Sequence, residues 1–540
     1  MTLVLSQNEG VSMKLAVFML VLLAARAGAQ TPNPGVCTAT PPMSNPSADA
    51  RWNGWGADLS NTRSQTAQQA GLTDAQVPAL KLKWAFGIPD ATQSRAQPAI
   101  AGGRMFFGST PGIVYSLDAK TGCTYWTFKA QAGVRTAISV GPYKGAGGTA
   151  GQAVYFADAS ANAYAVDAMT GKQIWTRKLD DHAAARSTGA PILHEGRLYA
   201  PVAGVSEENA AARPQYECCT FRGSLSALDA NTGDVIWKAY TITEPPKPRG
   251  KSTTGAQLWG PAGAGVWSAP TIDTKRGSIY VATGNGYSDP PQLTSDAVLA
   301  FDLKTGKMKW ASQVTPNDVW VLGCGGRGAA PNPNCPESIG PDYDFAASPI
   351  VATLPGGRDL IVVPQKSGVG YGLDPDKQGA ILWQYRFGRG SGIGGVWGAA
   401  VDEQQAYFSA ADYLTPAPGG IHAVRLDNGE RVWYTPPRPA LCGSGPGCSA
   451  AQSAALTVIP GVVFSGSADG GLRAFSTKDG SIVWEFDTNR GFETVNGVKA
   501  NGGSMDGPGV VVAGGMLYVS SGNGGLVGRP GNVLLAFGVD

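Results

Sequence analysis

The sequence predicts an all-β fold: an eight-bladed β-propeller with tryptophan-docking repeats, one blade closed by the N- and C-terminal strands. Three observations predict it. A hairpin motif ending in Trp recurs along the chain, and half a copy sits at each end of the repeat array. The 75 glycines in 540 residues, roughly twice the usual frequency, fall mostly at turns.

Taken in chain order, residues 1–29 read as a cleavable export signal preceded by a short extension. "MKLAVFMLVLLAARAGAQ" has a basic residue, an apolar run from Leu15 to Ala25 and small residues before Gln30. That run is too short for a good membrane span, and no later one approaches membrane length. Export to the periplasm is the expectation. Residues 30–79 are expected to be an N-terminal segment packing on the propeller, and 80–540 the propeller itself.

The complete repeats are "VYSLDAKTGCTYW" ending at Trp126, "AYAVDAMTGKQIW" at Trp175, "LSALDANTGDVIW" at Trp237 and "VLAFDLKTGKMKW" at Trp310. Degenerate copies end at Trp383, Trp433 and Trp484. Each reads as an apolar strand, a tight turn with Gly where φ is positive, and a second strand. The Asp before the turn and the Trp after it are expected to lock neighbouring units. An eighth hairpin is split: "LKLKWAFG" (80–87) has the Trp strand and "GNVLLAFGVD" (531–540) its partner. Joining the two removes the free sheet edges of an open array. Trp-to-Trp spacing is widest between Trp175 and Trp383, which predicts long loops on one face.

Eight cysteines in an exported chain point to disulfides. Cys324 with Cys335 and Cys442 with Cys448 bracket short Gly/Pro loops. Cys218 and Cys219 are adjacent, and they form either a small strained ring, two buried thiols or two half-cystines bonded elsewhere. If they pair with each other, Cys37 and Cys123 are left as a fourth bridge. No Cys-x-x-Cys-His occurs, so there is no c-type haem attachment site. A net charge of +2 carries no polyelectrolyte signature, which argues against nucleic acid as a partner.

The Asp-x-x-Thr-Gly-x-x-x-Trp repeat, the adjacent cysteines and "YVATGNG" (280–286) resemble pyrroloquinoline quinone (PQQ) dependent alcohol dehydrogenases. "NGWGADLSNTRSQ" (53–65), "ECCTFRGS" and "GGSMDGPGVVVAGGMLYV" (502–519) are most similar to the polyvinyl alcohol dehydrogenase branch, here without its fused cytochrome c domain. The resemblance implies a flat quinone tricarboxylate held with Ca²⁺. Cys218–Cys219 as a vicinal disulfide would cover one face of PQQ and Trp267 the other. Arg135, Thr188, Lys366 and Trp397 are the further PQQ contacts. Glu207, Asn285 and Asp344 are the metal ligands, with Glu208 and Glu217 as alternatives to Glu207. Asp344 is the catalytic base, with Asp342 as runner-up, and Lys366 the cation beside the quinone oxygens. Ala346 stands where lanthanide-using relatives carry an additional acid, which favours calcium. The implied reaction oxidises a secondary alcohol, polymeric or bulky, and passes electrons to a separate periplasmic cytochrome c or a dye. A non-catalytic scaffold of the outer-membrane assembly type would share the repeats but not this set of residues. A PQQ-dependent sugar dehydrogenase would differ in substrate.

Overall fold

A computed structural model describes residues 35–46, 49–145, 148, 150–325, 332–390, 397–413, 415–525 and 528–540. The export-signal expectation for 1–29 lies outside the described residues. Eight four-stranded antiparallel sheets form the blades. Blade 1 comprises Ala99–Ala101, Arg104–Phe107, Ile113–Asp118 and Thr124–Lys129, and blades 2 to 7 follow within 139–178, 192–240, 271–313, 350–386, 400–435 and 457–487. Blade 8 takes Val511–Ala513, Met516–Ser521 and Val533–Gly538 from the end of the chain and Lys81–Gly87 from its beginning. The two ends zip from Lys81 opposite Gly538 to Gly87 opposite Val533.

The repeat residues divide their labour differently from the expectation. Asp118 caps its own turn, its Oδ1 accepting from Lys120 N–H, Thr121 N–H and the Thr121 hydroxyl, and Asp167 does the same at Met169 and Thr170. The lock between blades comes from Trp and Gly. Trp126 Nε1 donates to Ala168 O in blade 2 at 3.0 Å, and Trp175 to Ala230 O in blade 3 at 2.9 Å. Gly171 and Gly233, both at positive φ, lie against those indoles. A Cβ on either would come within 2.8 Å of the ring. A docked Trp buries about 150–250 Å², worth at most ~4–6 kcal/mol by apolar area. All eight cysteines are paired: Cys37–Cys123, Cys218–Cys219, Cys324–Cys335 and Cys442–Cys448.

Residues 52–65 thread from blade to blade and meet the first strand at its second residue in every blade but blade 3. Trp52 exchanges backbone bonds with Ile100 (blade 1), and the Asn53 side chain does so with Val140 (blade 2). Leu59 O, Ser60 O and Thr62 O accept from Ile272, Val351 and Val401 in blades 4, 5 and 6. Val458 in blade 7 is held by Arg63 O and Gln65 N–H, and Val512 O in blade 8 accepts from Gln65 Nε2. The Arg63 guanidinium is buried among carbonyls and lies over Trp52 and Trp55; desolvation pulls it down to about 9.

Candidate active site

In seven of the eight blades the loop before the first strand brings a residue to one small space, in six of them the residue four positions ahead of the strand. Arg95, Arg135, Thr188, Trp267, Ala346 and Gly507 hold this position in blades 1, 2, 3, 4, 5 and 8, and Trp397 lies three ahead in blade 6. Together they enclose a small space of about 40 Å³ floored by Trp55. It shares Arg135, Thr188, Trp267 and Trp397 with a larger cavity of about 220 Å³, to which the long loops of blades 3 to 5 add Glu208, Asn285, Tyr287, Asp344 and Lys366. Seven residues singled out in the sequence therefore line one cavity.

One end of the cavity is acidic. Lys366 Nζ bridges Asp342 Oδ1 and Asp344 Oδ2, each at 2.8 Å. Burial alone would lower this ammonium, but Asp344, Asp342 and Glu208 hold it above the usual lysine range. Asp344 Oδ1 accepts the Asn285 backbone N–H at 2.5 Å. Gly284 allows this approach, since a Cβ there would stand 2.7 Å from the same oxygen. Burial raises Asp342 to about 7 against the pull of Lys366. Burial also raises Glu208 to about 8, with Asp344 adding to it. The Asn285 amide nitrogen donates to Gly286 O at 2.7 Å and Trp320 O at 2.6 Å. Its Oδ1 accepts no hydrogen bond among the described residues.

The other end is cationic. Arg135 has no hydrogen bond or ion pair among the described residues and lies 5.3 Å from the Trp397 ring centroid. Burial, reinforced by Arg95, pulls it down to about 10. Thr188 Oγ1 is buried without a partner. Asp506, which the sequence reading passed over, accepts from Trp397 Nε1 at 2.5 Å, Ser453 Oγ at 2.6 Å and Asn523 Nδ2 at 2.6 Å, and lies 3.7 Å from Arg95. Trp267 meets Trp397 edge to face at 5.3 Å, and Lys366 Nζ stands 5.5 Å from the Trp267 ring centroid.

Two groups expected in the site are not among the residues lining this cavity. Glu207 does not line the cavity. Residues 205–210 form a short helix rather than a plain loop, so consecutive side chains diverge by about 100°. Glu207 turns inward, wholly buried, and accepts from Phe221 N–H at 2.7 Å, Thr220 N–H at 2.9 Å and the Tyr216 hydroxyl at 3.1 Å. Glu208 faces the cavity instead. The Cys218–Cys219 disulfide forms, across a cis peptide, yet does not line the cavity either. Cys218 O and Cys219 N–H pair with Trp259, which seats the disulfide in an apolar cluster with Phe221 and Tyr287. Tyr287 is the member of that cluster that reaches the cavity.

The donor set fits both groups that the sequence implies. An amide oxygen aligned by two bonds to its nitrogen, beside the Glu208 and Asp344 carboxylates, suits a hard cation. An unpaired guanidinium with an orphaned hydroxyl suits an anionic ligand. The flat indole of Trp267 joins the two ends.

Residues 52–323 match the family model described as "PQQ: Glucose/ethanol/alcohol dehydrogenase, beta-propeller domain", and residues 365–530 match that of outer membrane protein assembly factor BamB. The chain is 45% identical over 513 residues to the polyvinylalcohol dehydrogenase of a Pseudomonas species, covering 93% of this chain and 78% of that one. It is 39% identical over 521 residues to the polyvinylalcohol dehydrogenase of Sphingopyxis sp. (strain 113P3), covering 93% and 79%. Two solved structures share the fold. The quinohemoprotein alcohol dehydrogenase of Comamonas testosteroni has a TM-score of 0.61 at 20% identity, covering 91% of this chain and 80% of that one. A europium-containing methanol dehydrogenase has a TM-score of 0.62 at 17% identity, covering 91% and 98%. By sequence over nearly its whole length, the chain belongs to the polyvinyl alcohol dehydrogenase family of PQQ-dependent alcohol dehydrogenases.

Proposed function

We propose that this enzyme uses PQQ with Ca²⁺ to oxidise secondary alcohol groups, on polyvinyl alcohol or another bulky or polymeric alcohol, to ketones in the periplasm. The observation that carries the reading is the two-ended cavity, with the Asn285 amide oxygen near carboxylates and Arg135 beyond them, both without a hydrogen bond among the described residues. The names of the relatives support the polymer. Each alcohol group converted to a ketone releases two electrons and two protons. The acceptor in this reading is a separate cytochrome c or a dye.

Glu208, Asn285 Oδ1 and Asp344 would hold the cation, and Arg135 with Thr188 the carboxylates of PQQ along the Trp267 face. When bound, PQQ supplies the two-electron acceptor and the cation supplies Lewis acidity. Asp344 Oδ2 is the general base that takes the hydroxyl proton. The Asn285 N–H on Oδ1 and the Lys366 ammonium on Oδ2 hold that carboxylate in place and aim it. Tyr287, Val205 and Ala203 give the alkyl part of the substrate an apolar wall and exclude water.

Reconstitution of the apoprotein tests this, with dye reduction by secondary alcohols and polyvinyl alcohol followed under omission of PQQ, of calcium, or of both. Activity that needs both additions is the expected result. Saturable PQQ binding without calcium-dependent turnover would remove the metal from the reading, and absence of PQQ binding would remove the reading itself.

A further inference from the structure

We infer that Asp318 is a positioning residue that sets the metal site. The inference rests on the function proposed above. Asp318 is wholly buried and lies outside the cavity lining, yet it is tied to the segments that carry the site residues. Its Oδ1 accepts the backbone N–H of Asp342 at 3.1 Å and its Oδ2 that of Tyr343 at 2.7 Å, the two residues leading into Asp344. Its backbone carbonyl accepts from Gly286, next to Asn285, at 2.9 Å. Two residues on, Trp320 N–H donates to Gly286 O at 2.8 Å, and Trp320 O takes the Asn285 amide at 2.6 Å, fixing which way the amide faces. Leu322 N–H then reaches Glu208 O at 3.3 Å. The segment 318–322 thus touches the backbone or side chain of all three proposed ligand segments, and Cys324–Cys335 anchors its far end.

The carboxylate is what makes this arrangement specific. Two converging N–H groups need two acceptor oxygens, and only Asp offers both at this length. Gly340 completes the fit, since a Cβ there would come within 2.6 Å of the Asp318 Cα. In Asp318→Asn one acceptor becomes a donor facing a backbone N–H. The 342–344 segment then shifts, and Asp344 moves relative to Asn285 and Glu208. Loss of an outer partner of this kind lowers metal affinity by about 10–100-fold.

The test is calorimetric titration of calcium into PQQ-loaded, metal-depleted wild type and Asp318→Asn, with melting temperatures of both metal-free forms. Calcium Kd should rise at least about tenfold in Asp318→Asn, and kcat should fall while KM for the alcohol stays put. A purely structural role would lower the melting temperature and leave calcium Kd within about twofold, which overturns the inference. Should Asp318→Asn fail to fold, amide exchange in metal-free wild type decides. The Asp342 and Tyr343 amides should be protected, and exchange as fast as an open loop refutes their tie to Asp318. If wild type takes up neither PQQ nor calcium, the proposed function falls and this inference with it. If wild type binds both and Asp318→Asn binds calcium equally well, this inference alone falls.

Discussion

Glu207 and Glu208 are neighbours with opposite expected phenotypes. Glu208 has its pKa raised from 4.5 to about 8 by burial, with Asp344 adding to it. A carboxyl whose folded pKa exceeds its unfolded one costs nothing below pH 4.5. The cost grows as pH climbs and levels off above pH 8. At pH 7 it amounts to on the order of 3 kcal/mol, at about 1.4 kcal/mol per pH unit. Glu208→Gln removes this cost, so the metal-free variant should melt above metal-free wild type at pH 8 and close to it at pH 5. Its calcium affinity should fall sharply. Glu207→Ala does the reverse, leaving two buried backbone N–H groups and the Tyr216 hydroxyl without their acceptor. At ~1–3 kcal/mol for each of the three groups stranded, the fold should lose about 3–9 kcal/mol with a smaller effect on calcium. Thermal melts of the metal-free proteins from pH 5 to 8 and calcium titrations separate the two. A Glu208→Gln variant that melts below wild type at pH 8, or a calcium defect larger in Glu207→Ala than in Glu208→Gln, would refute the reasoning.

Asp344→Asn should keep PQQ, seen as quenching of tryptophan fluorescence, while turnover drops by at least about 10²-fold, the lower bound for losing a general base. Arg135→Leu should weaken PQQ binding by about 10–100-fold, the worth of a charge-assisted hydrogen bond. Binding to that variant should also lose part of its salt dependence, measured by titration at two ionic strengths.

The fold was legible because its signals are local and repeated. Asp caps the turn in five of the seven complete hairpins and Gly makes room for an indole in all seven, so each of these blades announces itself over about 13 residues. The cavity was legible residue by residue only where family motifs stood, as at Asn285 and Asp344. A second periodicity would have found more. Gln, Ala or Ser followed by Pro stands two residues ahead of the first strand in "QPAI" (97–100), "APIL" (190–193), "APTI" (269–272) and "SPIV" (348–351), and the residue two positions before it lines the small space; Ala-Ile (137–138) and Gly-Val (509–510) take the same place in blades 2 and 8. That rule yields Arg95 and Gly507 as readily as Arg135 and Trp267. Helical phase separated Glu207 from Glu208, and no strand-and-loop reading of "GVSEENAAARPQYE" could distinguish them. Asp318 and Asp506 were invisible for another reason. Each acts across more than a hundred residues or through backbone amides, and neither leaves a pattern in its own neighbourhood.

The charges in the cavity explain why its stability and its chemistry oppose each other. Among the described residues, Lys366 at one end is ion-paired with Asp342 and Asp344 and feels the charge of Glu208, and at the other end Asp506 stands 3.7 Å from Arg95 while Arg135 has no ion pair. Neither end balances by itself. The acidic end responds by holding protons on Glu208 and Asp342 into the neutral range, which is a cost to the metal-free fold. In the function proposed above, a divalent cation added to three carboxylates and one ammonium would bring that sum to zero and displace those protons. The same imbalance would then become binding energy for the cation. The excess cation of the other end is left to meet an anionic carboxylate. Chelation should thus destabilise this protein more at pH 8 than at pH 5. A chelator-induced drop in melting temperature of equal size at both would mean that the acidic end is balanced by something other than a bound cation.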